Sequence, residues 1–218
     1  MVYVYAFVER PASVPDVRGI GDARVEAEAA PGLDVVISRH EAPSVEASEP
    51  AVIAHARVVE ALAASNEAVL PARFGGGHAD ADGLRAAVAE RASELTAALA
   101  RVRGCVELGV RALAPAGQEV AAASGGAYMR ARLEQRREAE RLAEELHAPL
   151  AERAREATRT VGATPRLLLS AAYLVPKGEV TEFREVVERV QAEHAELAIV
   201  CTGPWPAYSF ATAEAGSA

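Results

Sequence analysis

The sequence predicts an α+β protein built of two domains, and three observations lead there. Short apolar runs, some continuous and some alternating, recur at 2–8, 105–113, 166–175 and 197–202 and read as strands. Between them lie longer stretches whose apolar residues return every three or four positions, as in amphipathic helices. From Ala114 to Gly126 the composition turns to Ala, Gly, Ser and Pro with few large apolar residues, which suits a hinge. The domains expected are therefore 1–113, an N-terminal ferredoxin-like (modified split βαβ) sheet with two helices, then a linker at 114–126. Residues 127–218 form the second, an α+β unit with a long charged, coiled-coil-like helical arm, a small sheet and an aromatic tail.

The first domain opens on Val2–Val8, apolar on both alternating faces, as a central strand covered on both sides requires. A loop rich in chain breakers, Pro11 to Gly21, leads to two short strands at Ala23–Ala30 and Leu33–His40, separated by Pro31-Gly32. Ser48-Glu49-Pro50 starts a helix with a capping hydroxyl, an early acid and an early proline. Val52, Ala56, Val59 and Ala63 mark its face and Ser65 its end. Glu67–Phe74 is the next strand, followed by the triple glycine 75–77. Asp80 or Asp82 caps a second helix whose Leu84, Val88, Ala92, Leu95, Leu99 and Val102 share a face until Gly104 stops it. Cys105–Leu113 alternates, with Val106, Leu108 and Val110 on one face and Glu107 and Arg111 on the other, and closes this domain.

In the second domain a helix is expected over 127–159, its face carrying Met129, Leu133, Ala139, Leu142, Leu146, Leu150 and Ala154. Acid-then-base pairs three residues apart run along it, including Glu138/Arg141, Glu152/Arg155 and Glu156/Arg159, each stabilising a helix by a few tenths of a kcal/mol. Pro149 should break or kink it into a helical hairpin or bent arm. Arg166–Val175 reads as a buried strand. Thr181 caps a helix presenting Phe183, Val186, Val187, Val190 and His194, and Leu197–Thr202 is the closing strand.

Charge and chemistry narrow the function by exclusion. The formal net charge of −8 lends no support to a general nucleic-acid role, and the longest apolar run, Leu167 to Val175, is about half of what a bilayer-spanning helix needs. The N-terminus lacks a basic leader, and Cys105 and Cys201 share no motif, so both are read as reduced thiols of a cytoplasmic protein. Five scattered histidines form no metal-ligand pattern, no Gly-x-Ser-x-Gly occurs, and the triple glycine lacks the Lys of a phosphate-binding loop, since Lys177 is the only lysine. That glycine run reads as a turn.

What stands out is Thr202-Gly203-Pro204-Trp205-Pro206-Ala207-Tyr208-Ser209-Phe210, which holds the only Trp of a chain that is 5% aromatic. Gly203 permits a turn and two prolines restrict the chain on either side of Trp205. The segment is either an aromatic plug over the end of a sheet or a rigid, partly exposed contact surface for a partner. With it go Val2-Tyr3-Val4-Tyr5, Val69-Leu70-Pro71-Ala72-Arg73-Phe74-Gly75, the strand with Glu107, Ala172-Tyr173-Leu174-Val175 and Phe183. In these motifs, nearly end to end, the chain resembles the gas vesicle protein F/L family, which often carries a second Pro where Ala207 stands. The resemblance implies a two-domain α+β accessory protein of gas vesicle assembly, contacting the small hydrophobic shell subunit and other accessory proteins. It implies no catalysis and no cofactor, and a place in the cytoplasm and at the gas vesicle. Leu70, Pro71, Arg73, Phe74, Gly203, Pro204, Trp205, Pro206, Tyr208 and Phe210 are the candidate residues for partner contact or for the cores of the two motifs. A rival reading from fold analogy alone is a small-molecule-binding module or a cofactor-free enzyme.

Overall fold

The computed structural model describes residues 1–115, 125–161 and 166–211. The chain divides into two compact units, Met1–Val106 with Trp205–Ala218, and Glu107–Pro204. The hinge expected at 114–126 falls mostly outside the described residues.

In the first unit, β1 (Val2–Val8), β2 (Val25–Ala30), β3 (Leu33–Arg39) and β4 (Val69–Pro71) form a sheet in the order β2-β3-β1-β4. A two-residue strand β5 (Gly77–His78) lies on β1 beyond β4. All seven residues of β1 are buried, as its double-sided apolar pattern predicts. A bulge between Val4 and Ala6 shifts its pairing with β3, so that Tyr3, Tyr5, Ala6 and Val8 all join one core cluster. Helix α1 (Glu49–Ser65) covers that cluster with Ala51, Val58, Val59 and Leu62. The expected face was a residue out of register: Val52 is exposed, because the aromatic floor of the sheet takes His55 and Val58 instead. Ser48 starts the helix through its carbonyl, not its hydroxyl.

The second helix is two. Asp80 accepts from Gly83 N–H at 2.8 Å and caps α2 (Ala81–Glu90), and a break at Arg91 (φ −114, ψ 11) separates it from α3 (Ala92–Val102). Apolar periodicity alone runs across such a break without registering it. Gly104 (φ +68) ends α3, its N–H bonded to the carbonyl of Glu67. Arg10 steadies the β2–β3 turn, bonding Asp34 at 2.8 Å and the carbonyls of Ala30 and Leu33 at 3.0 Å.

The second sheet contains β6 (Cys105–Leu113), β7 (Glu156–Val161), β8 (Leu167–Pro176) and β9 (Ala198–Trp205) in the order β7-β8-β6-β9. Cys105–Leu113 has the span its alternation predicts, but it lies between β8 and β9 rather than closing the first sheet. Alternation shows that one face is buried and is silent on which sheet buries it. Taken in chain order, the four main strands of each sheet lie second, third, first, fourth.

Helix α4 (Gly125–Ala151) and α5 (Val180–Glu193) pack on this sheet around Leu146, Leu150, Tyr173, Phe183, Val186 and Leu169. The long helix is neither a hairpin nor does it reach 159. Pro149 sits in its last turn and costs no interior break, and the chain then enters β7 at Glu156. Arg159 accordingly meets Glu144 of α4 at 2.6 Å, not Glu156. Thr181 lies inside the first turn of α5, whose N-cap is Glu179. His147 Nδ1 and the Tyr173 hydroxyl, 2.8 Å apart, tie α4 to β8.

Candidate functional site

The Leu70–Phe74 motif is laid along β1 by backbone pairing. Val69, Leu70 and Pro71 face Val8, Phe7 and Ala6, and Ala72 N–H reaches the carbonyl of Tyr5 at 2.9 Å. Strand geometry then stops, which is why Glu67–Phe74 gives only three strand residues. Gly75 (φ +91) turns the chain, Gly76 accepts from Val4 N–H at 3.1 Å, and β5 resumes the ladder. A Cβ on Gly77 would lie 2.9 Å from the Val2 carbonyl oxygen, so the third glycine serves close strand approach.

Beneath this turn runs a continuous chain of hydrogen bonds. Gly75 N–H donates to the Tyr3 hydroxyl at 3.1 Å, and Tyr3 lies 2.9 Å from His55 Nδ1. His55 Nε2 lies 3.1 Å from the Ala72 carbonyl, which can only accept. Nε2 therefore carries the ring proton, and Nδ1 accepts from Tyr3. Burial pushes Tyr3 up to about 12 and holds His55 below the ordinary histidine value, so both are neutral near pH 7. The Phe74 ring packs against both, at centroid distances of 6.1 Å and 5.8 Å. Leu70 and Pro71 are buried, Phe74 is half-buried and Arg73 is exposed.

The second motif begins on β9, where Gly203 (φ +106) precedes a cis peptide to Pro204. Arg184 of α5 donates to the Gly203 carbonyl at 2.7 Å. Pro206 and Ala207 are buried, and a 3-10 turn over Tyr208–Phe210 sets Phe210 into the first unit at 2% exposure. Arg101 of α3 holds the carbonyl of Phe210 at 2.8 Å. This turn adjoins β4, so segments about 140 positions apart meet: the Val69–Pro71 strand and the Tyr208–Phe210 turn. Gly203 and Pro204 stay with the second unit, whereas Trp205 onward belongs to the first, not to the C-terminal domain.

The aromatic tail is thus part core and part exposed. Pro206 and Phe210 are core, while Trp205 is 46% and Tyr208 41% exposed. Partial burial, with the Glu60 carboxylate nearby, pushes Tyr208 up to about 12. Tyr3, His55, Arg101 and Arg184 support the two motifs; of these the sequence reading singled out only Tyr3, within Val2-Tyr3-Val4-Tyr5, and none as a candidate site residue. Histidines weighed only as metal ligands hide a core role, although His55 does share a helical stripe with Ala51, Val58 and Leu62. Among the described residues no group of three or more His, Cys, Asp or Glu side chains is placed to hold a metal, and both cysteines are free thiols. No described helix is long and apolar enough to cross a membrane. Trp205, Tyr208 and Arg73 are the exposed side chains of the two motifs that carry an indole, a phenol and a guanidinium.

The family described as gas vesicle synthesis protein GvpL/GvpF matches residues 1–212. Gas vesicle protein F1 of Halobacterium salinarum is 27% identical over 219 residues, covering 99% of this chain and 95% of its own length. Gas vesicle protein L of a Streptomyces species is 33% identical over 182 residues, 72% of this chain and 67% of its own. The crystal structure of GvpF from an Anabaena species superposes with a TM-score of 0.77 at 20% identity, covering 97% of this chain and 95% of that one. That of GvpF from Microcystis aeruginosa gives 0.76 at 20%, with 97% and 98% covered. At that identity the crystal structures bear on the fold, and the family match on kinship: the chain belongs to the gas vesicle GvpL/GvpF family.

Proposed function

We propose that this protein is a non-enzymatic accessory factor of gas vesicle assembly that holds the hydrophobic shell subunit through the surface built from its two motifs. The observation that carries this reading is the half-exposure of Trp205 and Tyr208 on a segment pinned by buried Pro206 and Phe210. An apolar aromatic pair costs solvation when left in water, and a rigid mount lowers the ordering cost of binding. Arg73 and Phe74, beside the same β4, widen the surface. The two sheets act as ferredoxin-like platforms, the first presenting this surface. The protein works in the cytoplasm and at the vesicle, together with other accessory proteins.

Pairwise co-expression with the shell subunit, read by size exclusion, tests this. A stoichiometric complex is expected, weakened in the Trp205→Ala and Tyr208→Ala variants while their melting temperatures stay close to the parent's. A complex indifferent to both variants, or none with a folded protein, would overturn the assignment.

A further inference from the structure

The two halves of α4 differ in burial. Its inner half is anchored: Ala143, Leu146 and Leu150 are buried, the two leucines in the second core. From Met129 to Glu138 every residue is exposed except the half-buried Ala131, and the large apolar side chains Met129 and Leu133 are 60% and 53% exposed. They were expected on the packed face. Leu133 lies thirteen residues before Leu146, about 220° round a helix at about 100° per residue, so it points away from that core.

The segment is helical for local reasons. Ala, Arg, Leu, Glu and Gln are strong helix formers, and Arg136–Glu140 (2.9 Å), Arg141–Glu138 (2.7 Å) and Arg141–Glu145 (3.1 Å) brace it along its own axis. Its charge departs from the rest of the chain. Between positions 130 and 137 stand four arginines, Arg130, Arg132, Arg136 and Arg137, against one glutamate, Glu134, in a protein of net charge −8.

Met129 and Leu133, one turn apart on one face and flanked by arginines, thus present a short apolar seam with a basic rim. We propose that this seam docks an acidic amphipathic α-helix of a partner protein, pairing as in a short coiled coil. Leucine-type side chains would cover Met129 and Leu133, and flanking carboxylates would meet the arginines. A second copy of the arm is disfavoured, since two basic seams repel. An anionic membrane is disfavoured because two apolar side chains make too narrow a face to bury in a lipid surface. A nucleic acid would leave Met129 and Leu133 without a counterpart.

The full chain can be titrated with two labelled synthetic helical peptides that share an apolar seam and differ only in Glu or Lys at the flanking positions, read by fluorescence anisotropy. Binding of the Glu peptide is expected, with none by the Lys peptide and loss on raising salt. The triple change Arg132→Glu, Arg136→Glu and Arg137→Glu should weaken it by roughly tenfold or more. Met129→Ser with Leu133→Ser should weaken it independently, and because these two residues are exposed and outside the Arg–Glu braces, this double variant should keep the parent's circular dichroism and melting temperature. Equal binding of both peptides, no binding of either, or binding indifferent to both variants would overturn the proposal. So would capture of phosphatidylserine vesicles in place of the Glu peptide. The shell subunit takes no part in this test, so its failure leaves the Trp205 surface untouched, and the reverse.

Discussion

Tyr3 donates its phenolic hydrogen to Nδ1 of His55 across 2.9 Å, joining the first strand to a helix 52 residues later. The same oxygen accepts from Gly75 N–H, and the other ring nitrogen holds Ala72, so one buried pair fixes both sides of the Arg73-Phe74 turn. A second, part-buried pair, His147 and Tyr173, joins helix to strand in the second unit. In both, the aromatic ring fills the core while its polar end is satisfied locally.

Tyr3→Phe keeps the ring and removes the oxygen, leaving Gly75 N–H and His55 Nδ1 without that partner. A loss of about 1–3 kcal/mol is expected. Urea denaturation should show it as a lower midpoint at unchanged slope. An unchanged midpoint would mean that the bond contributes nothing net.

Acid should loosen the fold through buried His55 and half-buried His147. Burial lowers His55 and His147 below the ordinary 6.5, so below that pH the unfolded chain takes up protons that the folded chain resists. Their contribution is complete above pH 6.5 and falls away as pH drops through it. Denaturation midpoints measured from pH 8 to 5.5 should decline, and His55→Gln should flatten part of the decline. A midpoint that holds steady or rises towards pH 5.5 would contradict this.

Gly19 is needed for the space it leaves. A Cβ there would lie 2.2 Å from the Tyr5 hydroxyl, which also accepts from Ile20 N–H and bonds Ser38, each at 2.9 Å. Gly19→Ala should cost about 1–3 kcal/mol through the shift it forces. Adding Tyr5→Phe should recover part of that loss in a double-mutant comparison.

Two leucines of one helix should behave oppositely. Leu146→Ala opens a cavity in the second core and should cost about 2–5 kcal/mol. Leu133→Ala, at 53% exposure, should stay within about 0.5 kcal/mol. Thermal melts of the two variants side by side decide it, and equal losses would place Leu133 in a packed interface.

Local pattern made much of the molecule legible. Val2–Val8 is the strand its apolar pattern describes, Cys105–Leu113 has the expected span although Glu107, expected to face water, is buried, and Asp80 and Gly104 punctuate the chain as their backbone chemistry requires. The errors share a cause. Apolar spacing ran through the break at Arg91, and acid–base spacing ran on past Ala151, because neither signal carries the tertiary contact that ends an element. The two conspicuous motifs were visible as composition, but their meeting at β4 was not.

By itself the sequence determined the mixed helix-and-strand class, the positions of most elements and the rigidity of the Gly203–Pro206 stretch, because these rest on backbone preferences and short-range periodicity. Only the tertiary structure decided that Cys105–Leu113 joins the second sheet and that residues after Pro204 return to the first unit. It also decided that Phe210 is core while Trp205 faces water. Which surface an apolar side chain buries against depends on partners far along the chain, and period and propensity carry no record of them.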